Sequence, residues 1–86
     1  MAHVEHRGHC RLRANTTAER ALLGQAARQG YVVLADAHYL VRGAYVLLPE
    51  RITARGAERV RLALEAAAAA HAEALRRRRA FHLVEE

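Results

Sequence analysis

The stretch "RITARGAERV", residues 51–60, marks the point where an extended chain enters a long helix. Ile52 is followed by a hydroxyl residue, Thr53, and by Gly56 three positions later. A hydroxyl side chain at this spacing accepts a hydrogen bond from the backbone of the first helical turn. The Ala-, Leu- and Arg-rich stretch that follows therefore predicts a helix from Thr53 to about Arg79.

This long helix is apolar on two sides. One stripe at helical spacing consists of Ala57, Val60, Leu64, Ala67, His71 and Ala74. The second consists of Leu62, Ala66 and Ala69. A helix with two apolar sides needs two neighbours, and we expect these to be the protein's own sheet and the same helix of a second subunit. The expected dimer contacts are Leu62, Ala66, Ala69, His71 and Leu75.

Upstream, "NTTAERALLGQAARQG", residues 15–30, predicts a shorter helix. Thr16 and Glu19 have the spacing of a capping box, in which each side chain accepts a hydrogen bond from the other's backbone N–H. Gly30 is expected to end the helix in a left-handed conformation. Ala18, Leu22 and Ala26 form the apolar face, and Leu23 lies beside it.

Residues 31–48, "YVVLADAHYLVRGAYVLL", are rich in β-branched and aromatic residues and predict two or three antiparallel strands near 31–35, 38–42 and 44–48. A turn at Arg42-Gly43 would place Val41 opposite Ala44 and Leu40 opposite Tyr45. Because residues 31–34 are all apolar, we expect this strand to be covered on both faces. The predicted fold class is α+β, with a helix, this sheet and the long C-terminal helix.

The chain is short enough for one domain. We assign residues 1–14 to a polar arm or an edge strand, 15–80 to the domain and 81–86 to a short tail. One Cys excludes an internal disulfide. No stretch is apolar over the length that a membrane span needs, and the N-terminus lacks the apolar core of a signal peptide, so we expect a cytoplasmic protein without a membrane partner.

All 14 basic residues are Arg, and the net charge of +5 favours a polyanionic partner. The helix at 15–30, the apolar strands and Thr53-x-x-Gly56 together resemble the C-terminal half of winged-helix regulators of the MarR type, over about residues 17–75. The sequence departs from that family in two ways. No helical pattern precedes Thr16, and the hairpin is apolar where a wing should be polar and basic.

The resemblance implies a DNA-binding regulatory homodimer. It implies that Arg20, Gln25 and Arg28 read base edges in the major groove and that Arg42 touches phosphate or the minor groove. Further phosphate contacts are expected from Arg11, Arg13, Arg76, Arg77, Arg78 and Arg79. An alternative is a protein–protein interaction module that docks through the hairpin, which exposed Tyr39 and Tyr45 would favour. Double-stranded RNA binding, with Arg55, Arg59 and Arg61 gripping phosphates, is a lesser alternative.

Neither a metal nor a cofactor is expected. His3, His6, His9 and Cys10 are metal-binding residue types, but their spacing on a strand places them on different faces. The sequence has no nucleophile–base pair, Gly-rich phosphate loop or carboxylate cluster, so we expect no enzymatic activity.

Overall fold

The computed structural model describes residues 10–85, which form an α+β fold of four antiparallel strands and two helices. The elements in chain order are β1 (Cys10–Arg13), α1 (Thr17–Ala26), β2 (Tyr31–Leu34), β3 (Ala37–Arg42), β4 (Tyr45–Leu48) and α2 (Ala54–Glu85). The predicted fold class is confirmed. Of the two possibilities for the start of the chain, residues 10–13 form the edge strand, and this adds a fourth strand to the predicted sheet.

The strand order is β1-β4-β3-β2, and β3 pairs with both β4 and β2. Its first part, residues 37–40, pairs with β2, whereas Val41 and Arg42 pair with β4. At the other edge, Leu12 of β1 lies opposite Val46 of β4. The sheet therefore consists of two hairpins that share β3. Its two edge strands are β1 and β2.

α1 begins where the sequence predicts, with one change in its cap. Thr16 Oγ1 accepts a hydrogen bond from the Glu19 backbone N–H at 3.0 Å. The Glu19 carboxylate accepts from the Asn15 backbone N–H at 2.8 Å rather than from that of Thr16. Glu19 is buried, and its carboxylate is satisfied by this hydrogen bond. Leu23, which we expected beside the apolar face, is fully buried at the centre of that face.

The end of α1 is earlier than Gly30. The helix stops at Ala26 and a turn follows. Gly30 nevertheless adopts the predicted left-handed conformation, with φ of 94°. Its carbonyl accepts from the Val41 backbone N–H at 3.0 Å, which ties the entrance of β2 to β3.

The predicted register of the β3–β4 hairpin is wrong. The two loop residues are Gly43 and Ala44, so Val41 lies opposite Val46 and Arg42 opposite Tyr45. Only the first loop residue, Gly43, has a positive φ, 61°, which is the pattern of a type II′ turn with Gly in first position. The pairing moves by two residues, so each side chain keeps its face while its neighbour across the strands changes.

β2 is covered on one face only, contrary to prediction. Val32 and Leu34 are buried, whereas Tyr31 and Val33 are exposed. The reason is that both helices lie on the same side of the sheet: α2 packs against α1 and, to a lesser extent, β2. We call the side of the sheet away from the helices the outer face.

α2 begins at the predicted joint, because Thr53 Oγ1 accepts from the Gly56 backbone N–H at 2.9 Å. Its buried residues are Ala57, Val60, Leu64 and Ala68, and their main neighbour is α1 rather than the sheet. Past Ala68 the predicted apolar stripe is less covered: His71 is half-buried and Ala74 is exposed. The helix continues through residues 81–85, which we had assigned to a tail, and the molecule is 53 Å long but only about 22 Å wide.

Candidate nucleic-acid interface

The outer face of the sheet carries the main concentration of arginine and aromatic residues among the strands. Alternate residues along each strand point to this side, because successive side chains of a strand face opposite ways. Those at the β1–β4 edge are Arg11, Arg13, Arg42, Tyr45 and Leu47. Those towards β2 are Tyr31, Val33, His38 and Leu40. None of these nine strand positions is a carboxylate.

The register places arginines on both sides of Tyr45. Arg13 of β1 and Arg42 of β3 each lie directly opposite Tyr45 of β4. Arg11 reaches across from the next outward position of β1, and its guanidinium carbon lies 4.7 Å from the centre of the Tyr45 ring. We call Arg11, Arg13, Arg42 and Tyr45 the Arg–Tyr cluster. It unites three arginines from strands that are distant in the sequence.

Arg11, Arg42, Tyr45 and Leu47 line a shallow concavity on this face. The cation–π contact with the Tyr45 ring holds the Arg11 guanidinium close to the sheet, and such a contact contributes about 0.5–1 kcal/mol at an exposed site. Neither Arg13 nor Arg42 makes an ion pair within residues 10–85. Three like charges on adjacent strands repel one another, so an anion at this concavity would be favoured electrostatically.

An apolar patch adjoins the cluster across β3. It consists of Leu40, Val33 and Tyr31, whose exposed fractions are 64%, 50% and 37%. The Tyr31 and His38 rings contact each other with centroids 5.1 Å apart. Tyr39, which we considered together with Tyr45 as an exposed hairpin residue, instead packs on the opposite side against the core.

The three residues expected to read bases are all exposed: Arg20 and Gln25 lie on α1, and Arg28 lies in the turn that follows it. Arg20 turns back to Thr17, with its Nη2 3.5 Å from the hydroxyl oxygen. Gln25 and Arg28 line an open groove that also involves His71 and Leu75 of α2. The side of α1 that they occupy therefore faces the projecting part of α2 at one end.

The arginine run of α2 is exposed, and half of it is paired. Glu73 forms ion pairs with Arg76 and, at 3.5 Å, with Arg77. Arg78 and Arg79 are exposed. Exposed pairs of this kind are weak and exchange readily, so all four arginines are accessible to an anion.

The residues expected at the dimer contact lie on two sides of α2. Leu62, Ala66 and Ala69 are exposed on the side away from α1. His71 and Leu75 line the groove beside α1. Because nine residues of an α-helix span two and a half turns, Leu62 and His71 point in opposite directions. One helix–helix contact therefore cannot use all five.

Within residues 10–85 no group of three or more His, Cys, Asp or Glu residues is arranged to hold a metal ion. His3, His6 and His9 lie outside the described residues. Neither α1 nor α2 combines the length with the apolar content that a bilayer span requires.

The sequence identified the arginines of the cluster as phosphate contacts but did not predict that they surround Tyr45. It treated Arg11 and Arg13 as outlying phosphate contacts because their strand partner was unknown. The alternation in "RLR" (11–13) and "AYVLL" (44–48) was the available signal for a shared face. No protein-family model matches the chain, and neither a curated protein nor a solved structure matches it. The relation to MarR-type regulators stays a prediction.

Proposed function

We propose that this chain is a cytoplasmic DNA-binding protein of a regulatory kind, which acts as a homodimer and contacts DNA through the Arg–Tyr cluster. The role is one of binding, without a catalytic step. Phosphate groups would be held by Arg11, Arg13 and Arg42, and the arginines at 76–79 would add contacts on α2.

The observation that carries this proposal is the convergence of three arginines around Tyr45 on a face whose described strand positions carry no carboxylate. Scattered arginines are common in a chain with a net charge of +5 and would not by themselves indicate a site. Here β1 and β3 bring Arg11 and Arg42 to one concavity from positions about thirty residues apart in the sequence, and Arg13 lies opposite Tyr45 beside it. Arginine is suited to phosphate because its planar guanidinium donates two parallel hydrogen bonds.

The surroundings of α1 favour the sheet over this helix as the principal contact. A helix-turn-helix uses a first helix that crosses the DNA backbone and orients the second. Between residue 10 and α1 the structure has β1 instead of such a helix. Arg20, Gln25 and Arg28 remain exposed and would supply supplementary contacts.

The proposal is tested with labelled DNA of random sequence, offered as a duplex and as single strands at about 50 and 200 mM salt. We expect binding at the lower salt and a steep loss at the higher, because bound phosphates release counterions. The double variant Arg13→Ala/Arg42→Ala should lower the slope of log K against log salt by about 1.8 for the duplex and about 1.4 for single strands, which corresponds to two lost phosphate contacts.

The matched control is Arg55→Ala/Arg59→Ala, which removes the same charge from exposed positions near the start of α2. We expect it to change the slope by much less. If it weakens binding more than Arg13→Ala/Arg42→Ala does, the contact lies on α2, as in the double-stranded RNA alternative, and the cluster is not the site. No binding of either DNA form at about 50 mM salt would overturn the proposed function.

A second candidate is docking of a protein through the apolar patch. Leu40 is 64% exposed beside an edge strand, β2, which has no charged residue. Apolar edge strands are commonly covered by a partner, because natural proteins otherwise protect them with charge. Leu40→Ser with Val33→Thr would leave the Arg–Tyr cluster and its charge intact and abolish this docking. Undiminished binding of duplex DNA by that variant would separate the two functions.

A further inference from the structure

Resting on the proposed function, we propose that the preferred ligand is single-stranded nucleic acid, whose unpaired bases stack on the aromatic side chains of the outer face. The two stacking positions are Tyr45 with Arg11, and Tyr31 with His38. This names the class of ligand for the cluster, and it differs from the duplex expected of a winged-helix regulator.

The first stacking position is held from three sides. Tyr45 is half-buried, which restricts its ring, and the Arg11 guanidinium lies over that ring at 4.7 Å. Unpaired bases stack on both aromatic rings and guanidinium planes. Arg13 and Arg42, on the two neighbouring strands at the level of Tyr45, are placed to hold the phosphates on either side of a stacked base.

The second position lies across β3 from the first. The Tyr31 and His38 rings make a tilted contact at 5.1 Å, and Tyr31 is 37% exposed. Leu40 and Val33 are more exposed still: Leu40, opposite Tyr31, lies between the two positions, and Val33, opposite His38, extends the apolar surface to the edge strand. The outer face thus alternates cationic and apolar regions over its width.

This composition matches a single strand better than a duplex. A duplex turns its phosphates outward and hides the faces of its bases, so Leu40, Val33 and Tyr31 would lose water against a charged backbone without gaining an apolar contact. A single strand presents base faces to the apolar residues and phosphates to the arginines at the same time. Base readout in a duplex also uses an element that enters a groove, most often a helix, and both helices lie on the other side of the sheet.

The test compares a single-stranded oligonucleotide with the duplex of the same sequence at equal salt. We expect the single strand to bind at least about tenfold tighter, as one stacked base accounts for. Tyr45→Leu keeps an apolar strand residue but removes the ring, and it should weaken single-strand binding about tenfold and duplex binding much less. Tyr45→Phe retains the ring and should bind like the parent protein.

A spectroscopic variant reports stacking directly. The chain has no Trp, so Tyr45→Trp introduces a single indole into the outer face. Its fluorescence should be quenched by the single strand at saturation and changed far less by the duplex. Thermal unfolding of each variant separates a loss of fold from a loss of contact.

The outcomes for the two proposals differ. If the duplex binds as tightly as the single strand, or if Tyr45→Leu binds both forms like the parent protein, the single-strand inference is overturned while DNA binding stands. If neither form binds, the proposed function itself fails.

Discussion

Two glycines inside helices have opposite surroundings. A side chain added at Gly24 of α1 would meet no atom within 4 Å. A Cβ at Gly56 of α2 would lie 3.0 Å from Ile52 Cγ1 and 3.2 Å from Thr53 Oγ1. Gly56 therefore allows Ile52 to fold over the first turn of α2 while Thr53 caps it. Gly24 has no such role within residues 10–85.

We expect Gly24→Ala to raise the free energy of unfolding by about 1 kcal/mol, because Ala loses less backbone entropy in a helix interior. Gly56→Ala has the same propensity advantage, but the crowding at Ile52 and Thr53 should cancel or reverse it. Urea unfolding of both variants measures the difference. Equal stabilisation would show that the joint tolerates a Cβ and that Gly56 is not needed for the contact with Ile52.

At the scale of elements, the two hairpins have different turns. The β3–β4 loop has one residue with positive φ, Gly43, and Gly suits it. The β2–β3 loop has two, Ala35 at 50° and Asp36 at 66°, which is the pattern of a type I′ turn. Asp tolerates this region, but Ala does so at a cost of about 1 kcal/mol or more. The connection between β2 and β3 is therefore held in place by the pairing of the strands.

Replacing Ala35-Asp36 with Asn-Gly, the preferred pair for this turn, should stabilise the protein by about 1 kcal/mol. The measurement is the midpoint of thermal or urea unfolding. Gly43→Ala is the opposing control and should destabilise the protein by about 1 kcal/mol, because it forces a Cβ into the left-handed region. A stability loss from the Asn-Gly replacement would contradict the assigned turn.

On the scale of the whole molecule, the helices are on one side of the sheet and α2 extends past the body. α2 has 32 residues, about 48 Å of helix, yet between residues 54 and 79 its last buried side chain is Ala68. Its side away from α1 exposes Leu62 by 52%, with Ala66 and Ala69 exposed nearby. Small residues allow two helices to approach closely, which supports the proposed homodimer, and we expect its contact at Leu62, Ala66 and Ala69.

We expect the protein to sediment as a dimer at low micromolar concentration. Leu62→Glu should shift it to a single folded chain, because a charge at an exposed position leaves the monomer intact but opposes helix pairing. Leu75→Glu is the control, since Leu75 is 42% exposed on the other side of α2 and should not affect this contact. A parent protein that sediments as one chain would make the dimer wrong, and dissociation by Leu75→Glu alone would move the contact to the groove beside α1.

The local features of this protein could be predicted from the sequence by itself. The caps at Thr16 and Thr53, the left-handed Gly30, and the change from helical to strand patterning at residue 31 all depend on neighbours within about four positions. Such hydrogen bonds and φ preferences act before any long-range contact forms. For the same reason the α+β class and the presence of strands between two helices could be predicted from the sequence.

Only the tertiary structure decided the surface on which function is proposed. Pairing of β1 with β4 made Arg13 a neighbour of Tyr45, and the two-residue shift of the β3–β4 register put Arg42 rather than Leu40 on its other side. The packing of both helices against one face left Tyr31 and Val33 open. Strand alternation predicts which residues of a strand share a face. Which strands pair, and in which register, depends on burying Leu12, Val41 and Val46 together in the core. These residues are distant in the sequence, so no local pattern contains that information.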